Sequence, residues 1–281
     1  MAKRLSDREI SQFERDGILF PIPVFDRAEI DDRRARFEAI EANRAGRLPP
    51  SLNLKAHLVV PWLWDMVHDA RILDAVEDVL GPNILCWAAS FFAKGIDDPH
   101  HVPWHQDATY WGLSEPRAVT AWVAFTPSVR ENGCMRVVPG THARQIDHRD
   151  TRDRFNMLPG REEIAVDVDE ADAVDVVLAP GEMSLHHLLL IHGSEPNRAG
   201  YRRIGFAIRY IAGDLHQTGG IRGSATLVRG RDFGNFDLEQ APEGEFHPDA
   251  VARNNAILKT WMKMVLPKPG TAKAPRQPVG D

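Results

Sequence analysis

Val102-Pro103-Trp104-His105-Gln106-Asp107-Ala108-Thr109-Tyr110-Trp111 sets an imidazole and a carboxylate two residues apart in an aromatic run. Aromatic and β-branched residues suit a pleated, half-buried strand. Side chains at i and i+2 of a strand share a face. The spacing therefore predicts a strand over 105–110 from which His105 and Asp107 meet one metal ion. Gln106, alternating with them, is expected to point away.

An H-x-D triplet alone is a weak signal, and the chain has three. His148-Arg149-Asp150 lies in a charge run without apolar alternation, which reads as a solvated loop or helix start. His247-Pro248-Asp249 sits in an acidic, Pro/Gly-rich stretch and reads as a surface turn. Downstream partners favour the first triplet. The apolar run Met183 to His192 ends in His192-Gly193-Ser194, where Gly and Ser mark the chain leaving a strand. A histidine at a strand end can project into a barrel mouth; it can equally cap a buried strand. Two His and one carboxylate on one side of a metal form the facial triad of non-haem Fe(II) oxygenases, which leaves positions open on the other side. His186 shares parity with His192 but stands six residues earlier, about 20 Å along a continuous strand. It is expected to stay clear of the metal unless that strand breaks.

Arg202 to Tyr210 alternates between a bulky face (Ile204, Phe206, Ile208, Tyr210) and a small one. On the small face Gly205 and Ala207 are bracketed by Arg203 and Arg209, which leaves room for an anionic small molecule. A half-exposed strand with its arginines outside gives the same periodicity.

With Phe13-Glu14-Arg15-Asp16-Gly17, Trp104-His105-Gln106-Asp107, Asn132-Gly133-Cys134-Met135-Arg136-Val137-Val138-Pro139-Gly140-Thr141-His142, His192-Gly193-Ser194 and Arg203 in this order, the chain resembles the phytanoyl-CoA dioxygenase family of Fe(II)/2-oxoglutarate-dependent oxygenases. The resemblance runs from about Asp7 to about Tyr210. It implies that His105, Asp107 and His192 hold Fe(II). It also implies that Arg203, eleven residues after His192, clamps the far carboxylate of 2-oxoglutarate. Ser194 would support that carboxylate, and Trp122, on the face of its strand shared with Thr120, would line the cosubstrate pocket. Arg202 is the competing clamp; the spacing and the small-residue face favour Arg203. O2 is the remaining co-reactant, with succinate and CO2 as products. Halogenating relatives replace the ligand carboxylate by a small residue; Asp107 argues for hydroxylation. Lys94, His101, Arg136 and Arg198 lie near the motifs and could recognise an anionic or zwitterionic small molecule, though surface ion pairs explain them equally well.

The 281 residues fit one large β domain, expected over 1–266, with a disordered tail at 267–281. A net charge of −6 gives no electrostatic footprint for nucleic acid. No apolar run approaches the roughly 20 residues of a membrane span, and the N-terminus lacks a signal-peptide core. Cys86 and Cys134 are a poor disulfide framework, so reduced thiols in a cytoplasmic enzyme are expected.

Helices are expected from Ser6, with a capping box to Glu9, from Asp26 to about Arg44, and from Arg71 to Leu80; Pro21 and Pro23 should break the chain between the first two. From Ile84 the pattern turns to strands: 84–93, 105–110, 118–126, 135–138, 175–178, 183–192 and 203–210. The expected fold is mainly β with flanking α: a jelly-roll, cupin-like double-stranded β-helix with N-terminal helices packed on one sheet. The charged segment 141–172 and the Gly-rich segment 214–247 are candidate lids. A non-catalytic jelly-roll binding protein, a zinc hydrolase and a halogenase are the competing functions.

Overall fold

Ser6 and Asp26 open the first two helices by the same device. Each side chain accepts the amide hydrogen of the residue three on, while Glu9 or Glu29 reaches back to the capping amide. In the computed structural model, which describes residues 2–43, 52–151, 153–158, 162–218 and 220–265, helix α1 spans Asp7–Asp16 and α2 Arg27–Ala42. Helix α3 (Pro61–Val67), with proline at its first position, is an addition to the expected set. Helix α4 (Ala70–Leu80) is capped by Asp69 and ends at Gly81. The tail expected at 267–281 lies outside the described residues.

Seven strands form the larger sheet. In spatial order they are β1 (Ile18–Pro23), β9 (Glu182–His187), β4 (Ala118–Ala124), β11 (Arg203–Ala212), β2 (Ile84–Lys94), β12 (Ser224–Arg229) and β13 (Asp237–Leu238). Four form the smaller sheet: β3 (Val102–His105), β10 (Ile191–Ser194), β5 (Met135–Val138) and β8 (Val174–Val176). A hairpin of β6 (His148–Asp150) and β7 (Glu162–Ile164) stands apart. The result is the expected jelly-roll with a helical layer on the larger sheet.

The alternation read in β11 decides what packs where. Ile204, Phe206, Ile208 and Tyr210 are fully buried with Phe37, Ile72, Phe91 and Phe125 in the core beneath the helices. Each such side chain contributes about 1.5–3 kcal/mol by leaving water. The opposite face of β11 looks toward the smaller sheet. There Ala207, Trp122, Met135, Val137 and Leu190 form a second core between the sheets.

Five local expectations need correction. Pro21 and Pro23 do not break the chain: they lie in β1, an edge strand whose pairing with β9 slips between Leu19 and Ile22, and an edge tolerates the missing donors. The strand expected over 105–110 ends at His105. Asp107 takes helical dihedrals (φ −59°, ψ −34°) and leads into the short helix α5, Ala108–Trp111. The run 183–192 is two strands, β9 and β10, in different sheets. His148 and Asp150 bound a short strand, where a loop or helix start was expected. Helix α6 (Pro248–Val265) also follows His247, where only a turn was anticipated.

Cys86 and Cys134 are both free and buried. No helix among the described residues is long and apolar enough to cross a membrane.

A buried ion pair ties the C-terminal third to the first. Lys55 Nζ lies 2.7 Å from Glu239 Oε1, and Ser224 and Thr226 hydroxyls donate to the same carboxylate at 2.7 Å. Burial would raise the Glu239 carboxyl, yet Lys55 and His57 pull it down to about 2. A lowered carboxylate stabilises the fold above its unfolded value near 4.5 and loses that contribution as pH falls toward 2. Glu239→Gln is expected to cost about 3–5 kcal/mol at neutral pH, because Lys55 is left buried and unpaired. It should also flatten the acid limb between those pH values. Urea unfolding across pH checks both.

Candidate active site

His105 closes β3 and His192 sits second in β10, and the two are directly opposed in the antiparallel ladder. Their ring centroids are 4.0 Å apart. Each imidazole donates its Nδ1 hydrogen to a backbone carbonyl two residues earlier: His105 to Pro103 at 3.0 Å and His192 to Leu190 at 3.0 Å. That bond selects the tautomer and leaves each Nε2 lone pair free. The helical turn after β3 swings Asp107 back toward them, with Oδ1 3.6 Å from His105 Nε2. One ligand atom from each of the three buried residues lies within 4.8 Å of the others.

The electrostatics suit a cation. Burial lowers the pKa of His192 well below its ordinary value, so it is a neutral lone-pair donor. Burial would raise Asp107, but the His105 contact and the Arg209 guanidinium hold it well below the usual carboxylate range. Two imidazole nitrogens and one anionic oxygen, converging from one side, are a donor set that fits Fe(II).

Around this centre lies a pocket open to solvent. Phe92, Thr120, Trp122, Met135, Ser194, Arg203 and Arg209 contribute to its wall. Thr120 Oγ1 donates to Asp107 Oδ2 at 3.4 Å, which leaves Oδ1 for the metal. Trp122 lies across β11 over Gly205, where an added Cβ would sit 1.9 Å from the indole; glycine is required for this approach.

The cationic end of the pocket is built by Arg203. Its guanidinium centre is 5.5 Å from the Trp122 ring centroid, and it donates to the Gly133 carbonyl. Its Nε is buried without a partner. Burial lowers its pKa to about 10, which keeps it cationic at neutral pH. A buried guanidinium with a free donor is a receptor for a carboxylate. Arg202 points the other way and pairs bidentately with Glu41 of α2 at 2.8 and 2.9 Å.

Lys94 belongs to this end too. Its Nζ donates to Ser194 Oγ at 2.7 Å and to the Glu195 carbonyl. Burial, with Arg203 nearby, pushes it down to about 6. Gly133 makes room: a Cβ there would stand 2.2 Å from the Glu195 carbonyl oxygen and 3.0 Å from Lys94 Nζ.

The other candidate substrate contacts are not brought to the pocket. Arg136 is engaged by Glu170 at 2.7 Å and Asp175 at 3.3 Å. His101 pairs with Asp153 at 3.3 Å, and Arg198 is exposed. Each had charge and sequence proximity in its favour, and acidic neighbours or solvent claim them instead.

Gln106 points away from the ligands, as alternation requires. Buried, it donates to the Arg144 and Leu189 carbonyls at 2.9 and 2.6 Å and accepts from the Ile146 amide at 2.7 Å. It thereby fastens Arg144 and Ile146, and the turn before β10, to the loop that carries His105 and Asp107. His186 was missed. The strand does break after His187, so the His186 ring lies 4.9 Å from that of His192 and lines the pocket.

This is the triad-bearing jelly-roll expected of a non-haem iron oxygenase. The family model described as phytanoyl-CoA dioxygenase (PhyH) matches residues 13–205, and the chain belongs to that family. The human peroxisomal phytanoyl-CoA dioxygenase is 31% identical over 198 residues, covering 68% of this chain and 56% of its own length. The chain spans about half the length of the curated relatives it matches. Among solved structures, a non-heme monooxygenase, ThoJ in its apo form, has a TM-score of 0.82 at 35% identity, covering 91% of this chain and 96% of that one. Its nickel complex has a TM-score of 0.78 at 32% identity, with coverage of 91% and 98%. CytC3 with Fe(II) and alpha-ketoglutarate shares the fold at a TM-score of 0.65 and 24% identity, with coverage of 87% and 99%.

Proposed function

We propose that the protein is an Fe(II)/2-oxoglutarate-dependent dioxygenase that hydroxylates an unactivated C–H bond of a small anionic or zwitterionic metabolite. One observation carries this reading: two imidazoles locked by their Nδ1–H bonds converge with Asp107 in the same pocket that ends in the buried, unpaired donor of Arg203. A zinc hydrolase has no need of that second, cationic end.

In this reading His105, Asp107 and His192 hold iron(II), which with 2-oxoglutarate and O2 supplies the oxidising chemistry and releases succinate and CO2. The protein's part is geometry. Pro103 and Leu190 carbonyls fix the imidazoles, and Thr120 orients the Asp107 carboxylate. Arg203, steadied by Gly133, takes the far carboxylate of 2-oxoglutarate. Ser194, held by Lys94, offers that carboxylate a hydroxyl. Trp122 and Phe92 exclude water beside it, which strengthens the ion pair. Asp107 occupies the place a halide would need, which supports hydroxylation over halogenation.

The test is anaerobic reconstitution of apo-protein with Fe(II) or with Zn(II), then 2-oxoglutarate and air, with succinate as readout. Slow succinate release even without primary substrate is expected with Fe(II) and absent with Zn(II). No succinate with Fe(II), although metal is bound, would overturn the reading.

A further inference from the structure

The inner face of the larger sheet has two cationic ends, and Arg203 accounts for one. Arg209 lies six residues on along β11, on the same face. It lines the same pocket, on the side of Asp107 and Thr120. Thr120 is its cross-strand neighbour on β4, and His186 is the neighbour of Thr120 on β9, so the three form one row across the sheet. Among the described residues, the Arg209 side chain makes one hydrogen bond, to the neutral Ser90 hydroxyl at 2.8 Å. Its guanidinium centre is 5.6 Å from the Phe92 ring centroid. His186, 2% exposed, has a buried Nδ1 without a partner in the same row.

Arg209 is half-buried in the pocket wall, and a guanidinium drawn partly out of water is costly unless an anion meets it. Among the described residues that line the pocket, Asp107 is the only carboxylate, and in the dioxygenase reading its charge is committed to the metal. A divalent metal and Arg203 are balanced by Asp107 and the two carboxylates of 2-oxoglutarate. Lys94 is held by Ser194 and the Glu195 carbonyl at the Arg203 end and does not line the pocket. Arg209 is then the cation left over.

We propose that Arg209, with Ser90 and His186, forms an anion subsite that receives a carboxylate, or an oxyanion of like shape, on the primary substrate. The inference rests on the dioxygenase reading, which reserves Arg203 for 2-oxoglutarate. It makes the substrate an acid held on the Asp107 side of the metal. The bond to be oxidised then lies within a few bonds of that acid group.

Trifluoroacetate tests the subsite without knowledge of the substrate. The protein is loaded with Zn(II) and saturated with 2-oxoglutarate, whose affinity is measured separately. Trifluoroacetate is then titrated and followed by fluorine NMR. Saturable broadening is expected for wild type, with binding at least about tenfold weaker in Arg209→Met, the loss of a charge-assisted hydrogen bond. The affinity for 2-oxoglutarate should be unchanged, which also reports that the variant is folded. No saturable binding to wild type, or equal binding to the variant, overturns the subsite. A large loss of 2-oxoglutarate affinity in Arg209→Met would assign the guanidinium to the cosubstrate and overturns it too. Failure of wild type to bind 2-oxoglutarate at all is the distinct result that removes the dioxygenase reading, and the subsite with it.

Discussion

Asp107→Ala is expected to abolish Fe(II)-dependent turnover of 2-oxoglutarate while leaving the apo-protein folded. Asp107 is the one anionic donor in the proposed ligand set, and its partners His105 and His192 are imidazoles in a buried site. Groups one step removed from a metal already cost about 10–100-fold in affinity when lost. A direct ligand should cost at least about a hundredfold. The fold should survive because the truncation leaves Thr120 and Arg209 beside a pocket that water can enter, not inside a closed core. Asp107→Asn is the sharper control: it keeps the shape and can still accept from Thr120, yet it lacks the charge. Fe(II) binding by calorimetry, succinate release and thermal unfolding of the apo-protein, taken together, check this. Wild-type turnover in Asp107→Ala would remove Asp107 from the ligand set.

Arg203→Met is expected to weaken 2-oxoglutarate by about 10–150-fold, the range of a hydrogen-bonded charge, with Fe(II) affinity little changed. The split matters, because a general collapse of the site would move both. Stability should not confound the result: among the described residues Arg203 has no carboxylate partner, its hydrogen bond going to the Gly133 carbonyl, and replacing a buried charge by an apolar side chain of similar length is often neutral or stabilising. Arg203→Lys should recover only part of the loss, since an ammonium cannot present a planar fork. Calorimetric titration of 2-oxoglutarate into the metal-loaded variants checks the order wild type, Lys, Met.

The chain shows, residue by residue, which of these features a sequence can reveal. The caps at Ser6 and Asp26 were legible because a capping box is local: donor and acceptor lie three residues apart. The two faces of β11 were legible because a strand alternates whatever it packs against, and the bulky face did go to the helices and the small one to the pocket. The choice of Arg203 over Arg202 follows from the same alternation, and Glu41 shows where Arg202 went instead.

Long-range facts were not legible. That His105 stands opposite His192 depends on the register between β3 and β10, which no local pattern encodes. The Asp107 backbone leaves the strand for a helical turn, so His105 and Asp107 meet by a different geometry from the i,i+2 strand pairing expected. His186 was set aside by a distance that assumed one continuous strand. The apolar run through Leu188, Leu189 and Leu190 hides the turn by which the chain changes sheets. Arg136 and His101 were singled out by charge and proximity, and their acidic partners Glu170 and Asp153 were out of sight in the sequence.

The most direct test of the account is an anaerobic titration of apo-protein with Fe(II) and then 2-oxoglutarate, followed by visible absorption. A weak charge-transfer band should appear only when both are present, saturate at one equivalent of each, and need far more 2-oxoglutarate in Arg203→Met. Tight metal binding with no band, or a band indifferent to Arg203, would contradict the central claim that the triad and the buried guanidinium serve one chelated cosubstrate.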